Sequence, residues 1–366
     1  MDETDILHAQ ATGKTVATTV IPSVGTSADS VTGTLAVIIV SYNTRELLRR
    51  CLLSIERATP PTGMRVEILV VDNASHDGSA QMVATEFPNV QLLAAPVNLG
   101  FTGGNNLALY ALGLRVQPPR GGRDLVAAPR TIPPRYLFLL NPDTELAADT
   151  LVEFTRAMQT TPLAAICGAR LHYADGTFQH AAFRFPGLGQ VALDLFPLVG
   201  VPGAHRLRDS RFNGRYPQSD WQGHAPFPVD FVLGAAMFVR TTALYEVGGL
   251  DEDYFMYCEE MDWCLRLHAA GWGVYAVPTA HVLHLEGQSS RQQRWDAFER
   301  LWQSRFRFYI KHAARYPVAF RLALRALVRL GAAWQAAQIR RRFAAGEVDG
   351  QSAARALQAY ATLRRL

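Results

Sequence analysis

The chain has 366 residues, 49% of them hydrophobic and 19% charged, which is long enough for one large domain or two smaller ones. A net charge of +4 is too weak to argue for nucleic acid as a partner, and no stretch approaches the about 20 uninterrupted apolar residues of a membrane span. Four cysteines (Cys51, Cys167, Cys258 and Cys264) stand at spacings unlike a zinc knuckle and suit buried thiols in a reducing compartment.

Residues 1–34 are rich in Thr, Ser and Gly without periodicity, so a mobile tail is expected. The segment is acidic at its start and lacks the apolar core of a secretory signal, and a cytoplasmic protein is the expectation. "LAVIIVS" (35–41) reads as a buried strand, followed by the helix "TRELLRRCLLSIERA" with Leu47, Leu48, Cys51, Leu52 and Ile55 on one face. "VEILVVD" (66–72) and "VQLLAAP" are the next strands, and "GSAQMVATEF" and "NLGFTGGNNLALYALGL" the next helices. The stretch 116–135, with five prolines, reads as a surface insertion.

Leu137–Leu140 is a fourth buried strand that ends in Asn141-Pro142-Asp143. Proline stops the sheet hydrogen bonding, which places Asp143 in a turn just past the strand. Asp143 has a plain reading as the cap of the next helix. Thr150-Leu151-Val152-Glu153, however, reads as a capping box of that helix's own. Strands alternating with helices predict a mostly parallel α/β sheet, whose ligands bind beyond the carboxyl ends of the strands. Here the first strand ends at Ser41-Tyr42-Asn43, the second at Asp72-Asn73, the third at Asn98 and the fourth at Asn141-Pro142-Asp143. Four polar strand ends in succession predict a site.

Further along, "AAICGARLHYADGTFQHAAFRF" reads as strands joined by an Asp175-Gly176 turn, and "VDFVLGAAMFVR" as a buried strand. "DEDYFMYCEEMDWCLRLHAAGW" is an acidic turn leading into a helix that stops near Gly271, and "GVYAVPTAHVLHLEG" supplies short strands ending at His284. Arg266 and Trp272 read as packing residues. From residue 291 the chain is helical and basic. Ten arginines follow from Arg315 onward, against Glu347 and Asp349 alone.

"VIIVSYN", "VVDNASHDGS", "NLGFTGGNN", "LLNPDT", "VGGLDEDYFMYCEEMDWCLR" and "GWGVYAVPTAHVLHLEGQSS", in that order, resemble the inverting, GT-A-fold glycosyltransferases of family 2, nearest the rhamnosyltransferase-like branch. The resemblance covers residues 35–290 and leaves out the tail, the insertion and the C-terminal helices of 291–366. It implies a nucleotide-sugar donor, dTDP- or UDP-linked, with dTDP-rhamnose suggested by the branch, and a glycan or lipid-linked acceptor. By resemblance Asp72 meets the pyrimidine base, with Tyr42 and Asn43 lining the same pocket. Asn98, Gly100, Gly104 and Asn106 would lie under the nucleotide. Gly103-Gly104 at a helix start would let backbone N–H groups approach phosphate. The bland alternatives are a turn-forming Asp72 and a plain flexible glycine loop.

Asp143 resembles the last acid of the family's metal-binding Asp-x-Asp, with Asn141 standing where the first acid would be. A hard divalent ion, Mg2+ or Mn2+, suits a diphosphate. His284 resembles the histidine that reaches the metal or the diphosphate, and imidazole favours Mn2+ over Mg2+. A lone histidine at a strand end is otherwise structural, and His281 is a rival for the role.

For the base the candidates are Glu259, Glu260 and Asp262. Acids at a helix start also favour the macrodipole without any catalysis. Asp262 precedes Arg266 by four residues and reads as a structural ion pair. In the family the second residue of a Glu-Asp pair is the base, which here is Glu260, one methylene longer. Glu259 stays open as the alternative. Neighbouring acids raise a base's pKa toward neutrality, which aids proton abstraction.

Two other function classes are weighed against this one. A non-catalytic sugar-nucleotide or glycan-binding module would not need the acid pair. A nicotinamide oxidoreductase would need a G-x-G-x-x-G that "GFTGGNN" lacks. The C-terminal stretch "RYPVAFRLALRALVRLGAAWQAAQIRRRF" has two readings. It is either a helix packed on the catalytic domain or on a second subunit, or an interfacial helix at the inner membrane face.

Overall fold

An apolar run such as 35–40 has no face fit for water, and the structure covers it from both sides. The computed structural model describes residues 33–114, 116–117, 123–126, 128–198, 203–285 and 294–366. The tail expected over 1–34 lies outside the described residues except for Gly33 and Thr34, which open the first strand. The first half comprises β1 (Gly33–Ser41), α1 (Arg45–Arg57), β2 (Met64–Asp72), α2 (Ser79–Glu86), β3 (Gln91–Ala94), α3 (Gly100–Ala111) and β4 (Tyr136–Leu140). β1 pairs in parallel with β2 on one side and β4 on the other, and β2 carries β3. The chain therefore steps outward from β1 to β3 and returns to the opposite side of β1. The carboxyl ends of β1 and β4 flank that reversal, where open α/β sheets hold their ligands.

The second half adds β5 (Thr144–Leu146), α4 (Thr150–Thr160), β6 (Ala164–His172), β7 (Phe178–Gln179), β8 (Ala182–Phe183), α5 (Leu188–Leu195) and α6 (Ala204–Arg208). It continues with β9 (Phe227–Pro228), β10 (Phe231–Val232), β11 (Ala236–Arg240), α7 (Thr241–Val247), α8 (Glu259–Ala269) and β12 (Gly273–His284). The main sheet runs β3-β2-β1-β4-β11-β6-β12-β5. β11 is antiparallel to both β4 and β6, and β12 is parallel to β6. The mostly parallel α/β fold expected from the alternation is the one observed.

Three local expectations are corrected. α4 starts after Asp149, without a side-chain cap, and the Thr150 hydroxyl donates instead to the His281 carbonyl at 2.6 Å. The capping box is replaced by a tie to β12. The expected short strands of 273–284 are one continuous strand whose register against β6 shifts between Val277 and His281. Pro278, which has no N–H to give, sits in that irregular stretch. α3 begins at Gly100, so Gly103 and Gly104 lie inside it and not at its start. A Cβ on Gly104 would stand 2.6 Å from Val40 Cγ1. That glycine serves close packing of α3 on β1.

All four cysteines are free and buried. α9 (Arg294–Lys311), α10 (Val318–Ala344) and α11 (Gly350–Leu363) follow. Trp302, Phe306, Phe308 and Tyr309 of α9 share a core with Tyr254, Cys258 and Met261. The C-terminal helices are thus built onto the start of α8.

Candidate active site

The ends of β1 and β2 are level, because Ser41 and Asp72 are register partners. Asn43 adopts a left-handed backbone (φ 52°). Its N–H donates to Ser75 Oγ at 3.0 Å, and its Oδ1 accepts from the His76 N–H at 2.8 Å. These bonds join the turn after β1 to the turn after β2. Asp72 is buried beneath them. One of its oxygens accepts from the Ser75 N–H at 3.0 Å, and Oδ1 has no partner among the described residues. A buried carboxylate oxygen left open at the end of β2 is an acceptor waiting for a donor.

Asn98, Gly100 and Asn106 have other work. Asn98 Oδ1 accepts from the Gly100 N–H at 2.9 Å, and the Phe101 N–H donates to the Phe255 carbonyl at 3.1 Å. The N–H groups that open α3 are therefore engaged within the protein. Gly100 has φ +74°, and a Cβ there would lie 2.5 Å from the Phe255 oxygen. Only glycine permits that approach. Asn106 is buried, with Nδ2 donating to the Leu250 carbonyl at 2.8 Å and Oδ1 accepting from the Leu250 N–H at 3.0 Å. The motif expected under a nucleotide fastens the 250–255 loop that precedes the acids.

β5 lies antiparallel on β12 with Thr144 opposite His284. That register carries Asp143 to the imidazole. The Leu285 N–H donates to the Asp143 carbonyl at 2.9 Å, and His284 Nε2 stands 3.5 Å from Asp143 Oδ1. His284 Nδ1 is 3.1 Å from Gln179 Oε1. With that oxygen as acceptor, Nδ1 is the donor of the pair, and Nε2 is the nitrogen turned to Asp143. His281, three residues away on the other face of the strand, pairs with His172 at 2.9 Å, their rings stacked. Of the two histidines, His284 is the one that stands beside Asp143.

No group of three or more His, Cys, Asp or Glu side chains gathers for a metal among the described residues. One carboxylate and one imidazole suffice when diphosphate oxygens and water complete the shell. The donor set thus fits a divalent ion bound together with a diphosphate. Asn141 shares this turn: its N–H donates to the Ala235 carbonyl at 2.9 Å, and its carbonyl accepts from the Thr144 hydroxyl at 2.7 Å.

Glu259 and Glu260 open α8 directly after Tyr257 and Cys258, both at positive φ (73° and 67°). Two successive non-glycine residues there are strained backbone, held by its surroundings. Ser304 of α9 donates to the Met256 carbonyl at 3.0 Å. Each glutamate has a buried oxygen without a partner among the described residues. Burial pushes the Glu260 carboxyl up to about 7. Burial, then the charge of Glu260, holds Glu259 well above the usual carboxylate range. The two titrate as a pair.

Glu260 packs near the strand that meets the Asn141–Asp143 turn. A Cβ on Gly234 would be 3.8 Å from Glu260 Cβ, and the next residue, Ala235, binds Asn141. Asp262 behaves oppositely. Fully buried, it meets Arg266 Nε at 2.8 Å, Lys311 Nζ at 2.7 Å and His312 Nε2 at 2.8 Å, and its carboxyl is driven down to about 2 although burial alone raises it. The Asp262–Arg266 pair is present as its spacing predicts. Gln179, Lys311 and His312 were not legible in the sequence, since each acts only through tertiary contact.

Residues 36–113 match the family model described as Glycosyl transferase family 2. The N-acetylglucosaminyl-diphospho-decaprenol L-rhamnosyltransferase of Mycobacterium tuberculosis (strain ATCC 25618 / H37Rv) is 30% identical over 264 residues, which is 71% of this chain and 78% of that one. Rhamnosyltransferase WbbL of Escherichia coli (strain K12) is 26% identical over 183 residues, 50% of this chain and 61% of that one. A solved mannosyltransferase, PcManGT from Pyrobaculum calidifontis in complex with GDP-Man and Mn2+, has a TM-score of 0.50 and 15% identity, covering 91% of this chain and 86% of that one. That last likeness is one of fold, the GT-A fold. By its sequence relatives and its architecture, the chain belongs to glycosyltransferase family 2, on the rhamnosyltransferase-like branch.

Proposed function

We propose that the protein is an inverting, metal-assisted glycosyltransferase that moves a sugar from a nucleoside diphosphate to a glycan or lipid-linked acceptor. The likeness to a relative named for rhamnosyl transfer onto a decaprenol diphosphate supports rhamnose as the sugar and a lipid-linked acceptor. The observation that carries the reading is the adjacent acids Glu259 and Glu260, each with one buried oxygen left without a partner among the described residues, Glu260 packing near Gly234, whose neighbour Ala235 binds the Asn141–Asp143 turn. Burying two like carboxyls without partners costs stability, and a module that only binds gains nothing from it.

The steps follow from the placement. The open Asp72 oxygen accepts the ring N–H of a pyrimidine base. The diphosphate lies toward Asp143 and His284, which would hold a divalent ion, Mn2+ or Mg2+, whose charge would offset that of the leaving group when bound. Glu260 takes the proton of the acceptor hydroxyl. The hydroxyl oxygen bonds to the anomeric carbon as the carbon–oxygen bond to the diphosphate breaks on the opposite face, the diphosphate leaving with the electron pair. One displacement inverts the anomeric centre. No helix among the described residues is long and apolar enough to cross a membrane. A cytoplasmic site of action is part of the proposal.

Thermal unfolding with nucleoside diphosphates tests the donor site. dTDP or UDP with Mn2+ is expected to raise the Tm, corresponding to about 2.7 kcal/mol at a concentration 100-fold above Kd. GDP, or dTDP with chelator, should do far less. Equal stabilisation with and without metal, or none by any nucleotide, contradicts the assignment.

A further inference from the structure

Helix α10 packs with one face and leaves the other open. Leu324, Val328, Gly331, Ala332 and Ala336 are buried, and Gly331 lies so close to α5 that a Cβ would stand 2.6 Å from Leu195 Cβ. On the far side Val318, Leu322 and Leu330 are 61%, 59% and 66% exposed, and Trp334, 39% exposed, flanks them with its ring against Phe196. Exposed Ala319, Ala323, Ala326 and Ala333 fill the places between them. At 100° per residue these eight positions fall within one stripe, an arc of about 160° whose edge also carries Arg329. Apolar side chains in such a row are not a random scatter of surface residues.

The charge on the same helix is of one sign. α10 carries Arg321, Arg325, Arg329, Arg340, Arg341 and Arg342 and no acid between residues 318 and 344. Arg342 meets Glu347, and none of the other five has an acidic partner among the described residues. Arg325 and Arg329 border the stripe. At its N-terminal end a cavity of about 180 Å³ opens between Ile310, Val318, Leu322, Arg321 and Arg325.

We propose that the open face of α10 docks on an anionic lipid bilayer. A second copy of the chain would set arginine against arginine across a shared stripe, which like charges oppose. A bilayer with anionic head groups supplies the apolar layer for Leu322, Leu330 and Trp334 and the negative charge for the arginines at one depth. Trp334, apolar with one polar edge, suits the head-group boundary. The inference is independent of the catalytic assignments. If it holds, a lipid-linked acceptor and the enzyme share one surface.

Sedimentation of the full chain with vesicles tests it, using phosphatidylcholine alone or with about a third phosphatidylglycerol. Binding to the anionic vesicles at low salt is expected, weakening steeply as salt rises, with little binding to phosphatidylcholine. Leu322→Asp/Leu330→Asp and Arg325→Glu/Arg329→Glu should each lower it more than tenfold, since one basic residue near such a surface is worth about fivefold. All four positions are exposed, so unchanged Tm values should confirm folding. Equal binding by wild type and both variants, or none by wild type, overturns the proposal. So does self-association that Leu322→Asp/Leu330→Asp abolishes without any vesicle binding by wild type. Because no sugar transfer is read, failure here leaves the glycosyltransferase reading standing, and loss of transfer elsewhere leaves this one standing.

Discussion

Replacing Asp143 with alanine is expected to lower sugar transfer by roughly 10²–10³-fold, the range for deleting one group that stabilises transition-state charge. The fold should survive. What β5 and β12 need from this residue is its backbone carbonyl, which takes the Leu285 N–H and is unchanged by the substitution. His284 also keeps Gln179 on its other nitrogen. What goes is the carboxylate 3.5 Å from Nε2, and with it the harder of the two donors for a divalent ion. Calorimetric titration of nucleoside diphosphate with and without Mn2+ separates this role from that of a turn residue. The variant should lose the metal-dependent part of binding, and an unaltered metal dependence would reduce Asp143 to a turn former.

Glu260→Gln should behave differently. Donor and metal affinity should stay near normal while turnover falls by roughly 10² or more, the range for loss of a general base. The pH profile gives the sign. A base whose pKa is pushed up to about 7 is protonated below that pH, so kcat/KM of the wild type should fall as pH drops through 7. The residual rate of the variant should lack that limb. Stability should move the other way. Ionising a carboxyl whose folded pKa is raised opposes folding once pH exceeds its unfolded value of about 4.5, and the opposition is full above 7. Glu260→Gln should therefore raise the Tm at pH 8 while reducing turnover, an opposition expected of a functional group and not of a structural one. Near-normal turnover would pass the role to Glu259.

The parts of this site that were legible in the sequence are the local ones. Strand ends announce themselves, because an apolar run followed by Asn-Pro-Asp or Asp-Asn can be read residue by residue. The Asp262–Arg266 pair was legible for the same reason, four residues on one helix. Two other local signals were overridden by tertiary contact. Thr150 looked like a cap, but its hydroxyl finds the His281 carbonyl. Gly103-Gly104 looked like a phosphate loop, but Gly104 lies against Val40. That His284 and not His281 stands beside Asp143 follows from the β5–β12 register, which no sequence spacing encodes. Lys311, the last residue of α9, and His312, in the turn after it, lie outside the resemblance altogether. They hold Asp262 two residues from the proposed base, which ties α9 to the start of α8.

The anomeric configuration of the product tests the central claim most directly. Transfer from a nucleotide sugar of known configuration, followed by NMR of the new glycosidic bond, reports how many displacements occurred. A single attack by an acceptor hydroxyl deprotonated by Glu260 predicts an inverted centre in the wild type. Any product formed by Glu260→Gln should be inverted too, only more slowly. A retained centre would mean two displacements, and would contradict the account in which Glu260 is a base and Asp143 and His284 serve the leaving diphosphate.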